Sequence, residues 1–394
     1  SFKPSCHCFS VIITGKRAKN KGKIKVPAVF FSLLYCRSKV YSGVNIMINN
    51  RSALLIIVIL LTLFTALVTS CARVNTLNLQ RHAFGEPPHK IIWLQVAGLS
   101  DEHLPLLKFS SQSKNMQISF ERSFCSGKMW AYDLYFLRPK AQNNFLSQVN
   151  GSKNQKNQCS DFDYPPFWKN LGKSGALAGV LENGIEEDQG LDRAFQCESE
   201  QNFYSDLTIV WKMARTKKTG AAFFQAPVNI PLTAGVYFDK SCQQATCHSG
   251  LFENAKQIFE SFIKRPFANV YLVRDFEYGE LLKKGEMLKA REHLLELDKV
   301  HNYFLDYHKV TPNVLVLVSS TAALSFEFPE QGNQWEEFDK KGKNIIFRQP
   351  SLMSSIFATG ARAENFCGLF EESEVRDRIL KIPAPLNFSD MFGL

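Results

Sequence analysis

The run "VLVLV" at 314–318 constrains the fold more than any other stretch of this chain. Five consecutive branched apolar residues leave no face for water, so the segment reads as a strand buried on both sides, the pattern of an interior strand in a parallel sheet. Helices cover both faces of such sheets, and ligands and chemistry gather at the carboxyl ends of their strands. The residues after this strand are Ser319, Ser320, Thr321, Ala322 and Ala323. None is a carboxylate, imidazole or thiol that could hold a metal or move a proton.

The rest of the body repeats the scheme. "IIWLQVAGL" (91–99) and "NVYLVRDF" (269–276) read as further buried strands, with Gly98 marking a tight exit from the first. Between 285 and 308 a long helix is expected, because Leu294, Leu297, Val300, Phe304 and Tyr307 recur at spacings of three and four. "HLPLLKFSSQ" reads as a short helix, and "MQISFERSFCSGKMWAYDLYFLRP" as a strand followed by a helix starting near Ser126. The Asn-, Gln-, Ser- and Lys-rich stretch 140–159 reads as a surface excursion. "PPFWKNLGKSGALAGVLENG" reads as helix, glycine turn and strand; "KNIIFRQP" and "MSSIFATGARAENFCGLFEESEVRDRIL" add two strand-like runs and a closing helix. No internal repeat or hinge-like linker interrupts the alternation. It predicts one α/β domain over 91–394, doubly wound, with a mostly parallel central sheet and helices on both faces.

A formal net charge of +10 invites a nucleic-acid partner. The invitation fails once the charges are located, because ten of the 47 basic residues (Lys3 to Arg51) lie in the first 70 positions, which contain no Asp or Glu. The remainder carries 37 basic and 37 acidic residues and has no bulk field for a polyanion. The asymmetry has a cause in "MINNRSALLIIVILLTLFTALVTSC" (47–71): a methionine, one positive charge at Arg51, an apolar run, then small residues. That order is a secretory signal. Its closing Val68, Thr69, Ser70 and Cys71 resemble the lipobox of bacterial lipoproteins, which implies lipidation of Cys71, a signal peptide over 47–70 and a polar tether over 71–90. An uncleaved anchor helix is the competing reading, although the run is shorter than the ~20 residues that span a bilayer comfortably. Either way the body leaves the cytoplasm. Ala72 and Arg73 lack the acidic residue that retains lipoproteins in an inner membrane, so outer-membrane residence is expected. Residues 1–46 precede a complete signal with its own methionine and read as upstream sequence the cell does not translate; the alternative is a basic arm around "GKRAKNKGKIK".

Six cysteines remain in the body: Cys125, Cys159, Cys197, Cys242, Cys247 and Cys367. An even number in an exported chain allows three disulfides, of unspecified pairing, and without a CxxC pair a zinc site is not expected. Cys242 and Cys247 could close a small loop with each other or each reach elsewhere.

The segments, taken in order, resemble the alkaline phosphatase and sulfatase superfamily over nearly the whole body. "FCSGKMWAYDLYFLRP" is similar to the nucleophile segment of sulfatases, where a Cys, Ser or Thr opens a helix. "LLELDKVHNYFLDYHKVTPNVLVLVSS" resembles the helix and strand that end in a metal-binding Asp-His, and "NIIFRQPSLMSSIFATGARAENFCG" the closing ligand segment. The resemblance implies hydrolysis of phosphate or sulfate esters with one or two divalent metals. Carried over by position, however, the first-strand Asp falls at Ala97, the Asp-His at Thr321 and Ala322, and the late His near Ser351 or Leu352. The expectation is therefore a lipid-anchored, exported pseudoenzyme with no cofactor, binding or assembling with a small ligand or envelope protein. The alternative is a hydrolase with a rebuilt site drawn from Cys125, Ser126, Asp275, Glu277 and Glu280. Against it, Gly127, Lys128 and Met129 replace the pattern by which sulfatase cysteines mature, so that Cys125 reads as a disulfide or buried thiol. Asp275 reads as an ion pair with Arg274, and the histidines, three of them (His293, His301 and His308) on the long helix, supply no ligand set.

Overall fold

A computed structural model describes residues 88–380, apart from short stretches at 109–116, 172–175, 185–189, 199–201, 217–218, 244–246, 248–249, 266–267, 312, 331 and 344. The leader, the signal, Cys71 and nearly all of the tether lie outside the described residues. In chain order the elements are β1 (Lys90–Ala97), α1 (Pro105–Lys108), β2 (Cys125–Trp130), α2 (Ala141–Asn150), β3 (Leu177–Asn183), α3 (Phe203–Leu207), β4 (Thr208–Met213), β5 (Ala222–Phe224), β6 (Gly235–Asp239), α4 (Leu251–Phe262), β7 (Ala268–Asp275), α5 (Glu277–Lys283), α6 (Met287–Val310), β8 (Val314–Thr321), β9 (Leu324–Glu327), α7 (Gly332–Lys341), β10 (Ile346–Pro350), β11 (Met353–Gly360), β12 (Gly368–Glu371) and α8 (Glu374–Leu380).

Ten strands form one sheet in the order β12-β2-β11-β8-β1-β7-β3-β4-β6-β5. Only β11 runs against its neighbours, and β9 and β10 form a separate antiparallel pair. The doubly wound, mostly parallel architecture read from the sequence is the one observed. Its cause is visible in the alternation along the central strands: Ile92, Leu94, Val96, Val314, Val316 and Val318 face the core beneath α4, α5 and α6, while Ile91, Trp93, Leu315 and Leu317 face the core beneath α2 and α8. The buried members of both cores lie between Ile91 and Ile379, and residues 75–394 form a compact unit by themselves. Among the described residues no helix is long and apolar enough to cross a membrane.

Gly98 makes the tight exit expected of it. Its φ of +81° lies in the left-handed region, and a Cβ there would come within 2.9 Å of the Gly279 Cα. Two glycines thus let α5 lie against the end of β1.

Two expectations are corrected. The segment from Cys125 is β2, not a helix opening near Ser126: Cys125, Gly127 and Met129 are buried, while Ser126 and Trp130 are exposed and Lys128 lies between, the two-residue period of a strand. The stretch 140–159 is not a surface excursion. It contains α2, every residue of which is buried, ending at Gly151 with φ +76°. The six body cysteines pair as Cys125–Cys367, Cys159–Cys197 and Cys242–Cys247. The first ties the start of β2 to the loop entering the edge strand β12, and closes a loop of 242 residues.

Candidate functional site

At the carboxyl ends of the central strands a small apolar group stands beside the polar Asn183, Asp275 and Thr321. Ala97 ends β1, Phe276 follows β7, and Ala141 is the first residue of α2; these three pack as a small buried cluster with Ala322, just past β8, against them. The strand-end polar atoms are used by the fold. Ser319 Oγ accepts from Trp93 Nε1 at 2.8 Å and donates to Gln148 Oε1 at 2.8 Å. Ser320 Oγ donates to the Leu99 carbonyl. The Ala322 amide, in a left-handed conformation with φ +46°, donates to Asn144 Oδ1 at 2.8 Å.

Beneath this cluster lies a buried polar layer supplied by α2. Gln142 accepts from Arg274 at 2.8 Å, and Asn143 donates to Asp133 at 3.3 Å. Asn144 and Gln148 donate to Glu372 at 2.7 and 2.5 Å. Burial pushes the Glu372 carboxyl up to about 8 despite these two donors. Arg274 lies in the same layer: its guanidinium pairs with Glu182 at 2.6 Å, bonds Gln95 at 3.2 Å and stands 3.8 Å over the Phe145 ring. Glu182 is shared with Lys212 at 3.4 Å, which also holds Asp192 at 2.5 Å. Burial opposes the Lys212 charge, but the two carboxylates hold its pKa above the ordinary lysine value.

Asp275 does not pair with Arg274 as its position suggested. Consecutive strand residues point to opposite faces, and Asp275 turns to the α6 side. There its carboxylate accepts from Asn183 Nδ2 at 2.7 Å, from the Tyr278 amide at 3.0 Å, and bonds His293 Nε2 at 2.8 Å. Burial pulls the His293 pKa down, but Asp275, with Glu296 and Glu277 near, leaves it raised overall. His293 thus reaches from α6 to the carboxyl end of β7, a contact between residues 18 apart that no local sequence signal announces.

The other candidates do not assemble. Cys125 is in a disulfide, and four strand spacings separate β2 from β7, which puts Cys125 roughly 20 Å from Asp275. Ser126 is exposed beside neither. Glu277 opens α5, and Glu280 pairs with Lys283 at 2.8 Å. Ser119, Asp298 and His301 do meet, but the Asp298 carboxylate binds Ser119 (2.6 Å) and the imidazole binds the same hydroxyl (2.9 Å), all buried. A hydroxyl bonded to both groups, with burial pushing His301 down to about 3, is a packed core contact and not an exposed nucleophile. Among the described residues no three His, Cys, Asp or Glu are placed to hold a metal ion.

Solved alkaline phosphatases share this architecture. That of Thermus thermophilus aligns with a TM-score of 0.56 at 13% identity, over 78% of this chain and 94% of its own. That of the Antarctic bacterium TAB5 gives 0.54 at 12%, over 76% and 98%, and the cold-active enzyme of a psychrophilic Shewanella gives 0.54 at 10%, over 75% and 100%. The chain has the alkaline phosphatase fold. By sequence, no protein-family model and no curated protein matches it.

The positions onto which the resemblance carries the family's ligands lie at the strand ends. Ala97, Thr321 and Ala322 stand at adjacent strand ends, and Ser351 and Leu352 occupy the turn entering β11, where Ser351 donates its amide to the Ala323 carbonyl at 2.8 Å. The segment that the resemblance compares with a nucleophile helix is β2, and the helix after it, α2, opens at Ala141 after Lys140, whose side chain makes no cap bond. The methyl and phenyl groups of Ala97, Ala141, Ala322 and Phe276 supply no donor to a divalent cation, and lone hydroxyls at Thr321 and Ser351 supply no charge, so these residues do not fit the metals the fold family implies.

Proposed function

We propose that this chain is a diverged member of the alkaline phosphatase and sulfatase superfamily that acts by binding or assembly in the cell envelope and has lost ester hydrolysis. The observation that carries this reading is the Ala97–Ala141–Phe276 cluster at the strand ends, where the chemistry of the fold would need carboxylates, imidazoles and a nucleophile. Hydrolysis of phosphate and sulfate esters is so slow without charge stabilisation that removing the metals removes many powers of ten in rate. Turnover of an aryl phosphate and an aryl sulfate by the purified protein is expected to equal that of buffer. Turnover well above buffer that disappears in Asp275→Ala would install the rebuilt-site hydrolase instead.

The same proposal includes export from the cytoplasm. Three disulfides suit an oxidising compartment, and the 47–71 segment supplies the signal and the lipidated Cys71. Palmitate label is expected on the wild-type chain and not on Cys71→Ser; label that persists in the variant rules out the lipobox.

A further inference from the structure

The loop between β2 and α2 exposes four consecutive large apolar side chains: Leu134 at 69%, Tyr135 at 52%, Phe136 at 45% and Leu137 at 66%. Trp130 and Tyr164, each 38% exposed, flank it. The loop lies at the carboxyl-end edge of the sheet, since β2 runs parallel to β12 and Trp130 pairs with Met353 at the start of β11. Contiguous exposed apolar surface of this kind marks an interaction site.

Three amides and one carbonyl of the tip are bonded within the protein. Asp133, itself buried, accepts at Oδ1 from the amides of Tyr135 and Phe136 (2.7 and 2.5 Å) and donates its own amide to the Phe136 carbonyl at 3.1 Å. The Leu134 amide donates to the Lys153 carbonyl at 3.0 Å, and Asn143 of α2 holds the second Asp133 oxygen. Each backbone group bonded within the protein lowers the cost of moving the tip out of water. Exposed basic side chains stand beside the tip. Lys140 and Lys156 are exposed, Lys156 standing 5.5 Å over the Tyr135 ring, and Lys153 pairs with Glu371 at 2.5 Å.

We propose that residues 134–137 insert into the interface of an anionic bilayer, with Lys140 and Lys156 against the headgroups. Apolar and aromatic side chains at the acyl boundary, ringed by Lys and Arg, are the composition of interfacial anchors. The inference needs neither lipidation at Cys71 nor the loss of catalysis. It places the sheet's carboxyl-end edge toward the membrane.

The test uses residues 75–394, the unit that contains both cores and lacks the apolar run and Cys71, in flotation with vesicles. Co-flotation is expected with an equal mixture of phosphatidylcholine and phosphatidylglycerol, and weaker binding with phosphatidylcholine alone or at high salt. Phe136→Ser combined with Leu137→Ser is expected to lower the bound fraction about tenfold or more, with an unchanged thermal midpoint because both side chains are exposed. Lys140→Gln with Lys156→Gln should remove the preference for the anionic vesicles. No flotation on anionic vesicles at low salt, or flotation equal in the serine variant, overturns the proposal. So does a wild-type dimer in solution that the serine variant abolishes without any vesicle binding, which assigns the patch to a second copy.

Discussion

Arg274→Met is expected to lower the free energy of unfolding by about 3–5 kcal/mol, the cost of stranding a buried charge. The guanidinium and the Glu182 carboxylate are each 1% exposed, so removing the cation leaves one negative charge in excess among Glu182, Asp192 and Lys212. Methionine keeps most of the volume against Phe145, and the loss therefore reports charge and hydrogen bonding more than a cavity. Adding Glu182→Gln removes the stranded charge and should restore at least half of the loss. Urea unfolding of the two single variants and the double variant measures this coupling. Additive losses would mean that the pair contributes no specific interaction.

A strong dependence of stability on pH is the second large effect. Burial lowers the pKa of His103 and of His301 to about 3, from an ordinary 6.5, with Arg122 adding to the shift at His301. Because the unfolded rings bind protons first, the stability these residues contribute is fully present above about pH 6.5 and is lost as pH falls toward 3. Near pH 4 each ring costs about 3 kcal/mol. Glu372 acts in the other direction. Its carboxyl, raised by burial to about 8, stays protonated while the unfolded one ionises, so its contribution is present below about 4.5 and is lost as pH rises toward 8. That loss reaches about 3 kcal/mol by pH 7. The raised His293 behaves likewise, contributing below 6.5 and less as pH rises through its folded value. Stability should be greatest near pH 6–7 and fall by about 3 kcal/mol toward pH 4. In Glu372→Gln the difference from wild type should move by about 3 kcal/mol toward stabilisation between pH 5 and pH 7.5. A difference that is the same at both pH values contradicts the account of Glu372.

The long elements are legible in the sequence because hydrophobic pattern alone decides them: β1, β7 and β8 are runs too apolar to face water, and α6 carries its stripe at helical spacing. β2 escapes a sequence reading although its two-residue alternation is there, because the resemblance to a nucleophile helix outweighs "CSGKMW". α2 escapes for a deeper reason. Polarity signals solvent only when the partners are water, and the partners of Gln142, Asn143, Asn144 and Gln148 are Arg274, Asp133, Glu372 and the strand-end serines, most of them far away in sequence. Its Gly151 cap and the Phe145, Leu146 and Val149 spacing are the available signals. At the site, Ala97, Thr321 and Ala322 are read from the sequence as strand-end residues that supply no carboxylate or imidazole. That Asp275 turns to His293 depends on which face each strand residue takes.

The proposal that this alkaline phosphatase fold works without metals rests on the apolar Ala97–Ala141–Phe276 cluster at its strand ends, and elemental analysis of the native protein, purified without chelator, tests it most directly. Zinc, magnesium and calcium are each expected far below one per chain. About one tightly held ion per chain, lost in Asp275→Ala while the fold persists, would contradict the loss of the metal site.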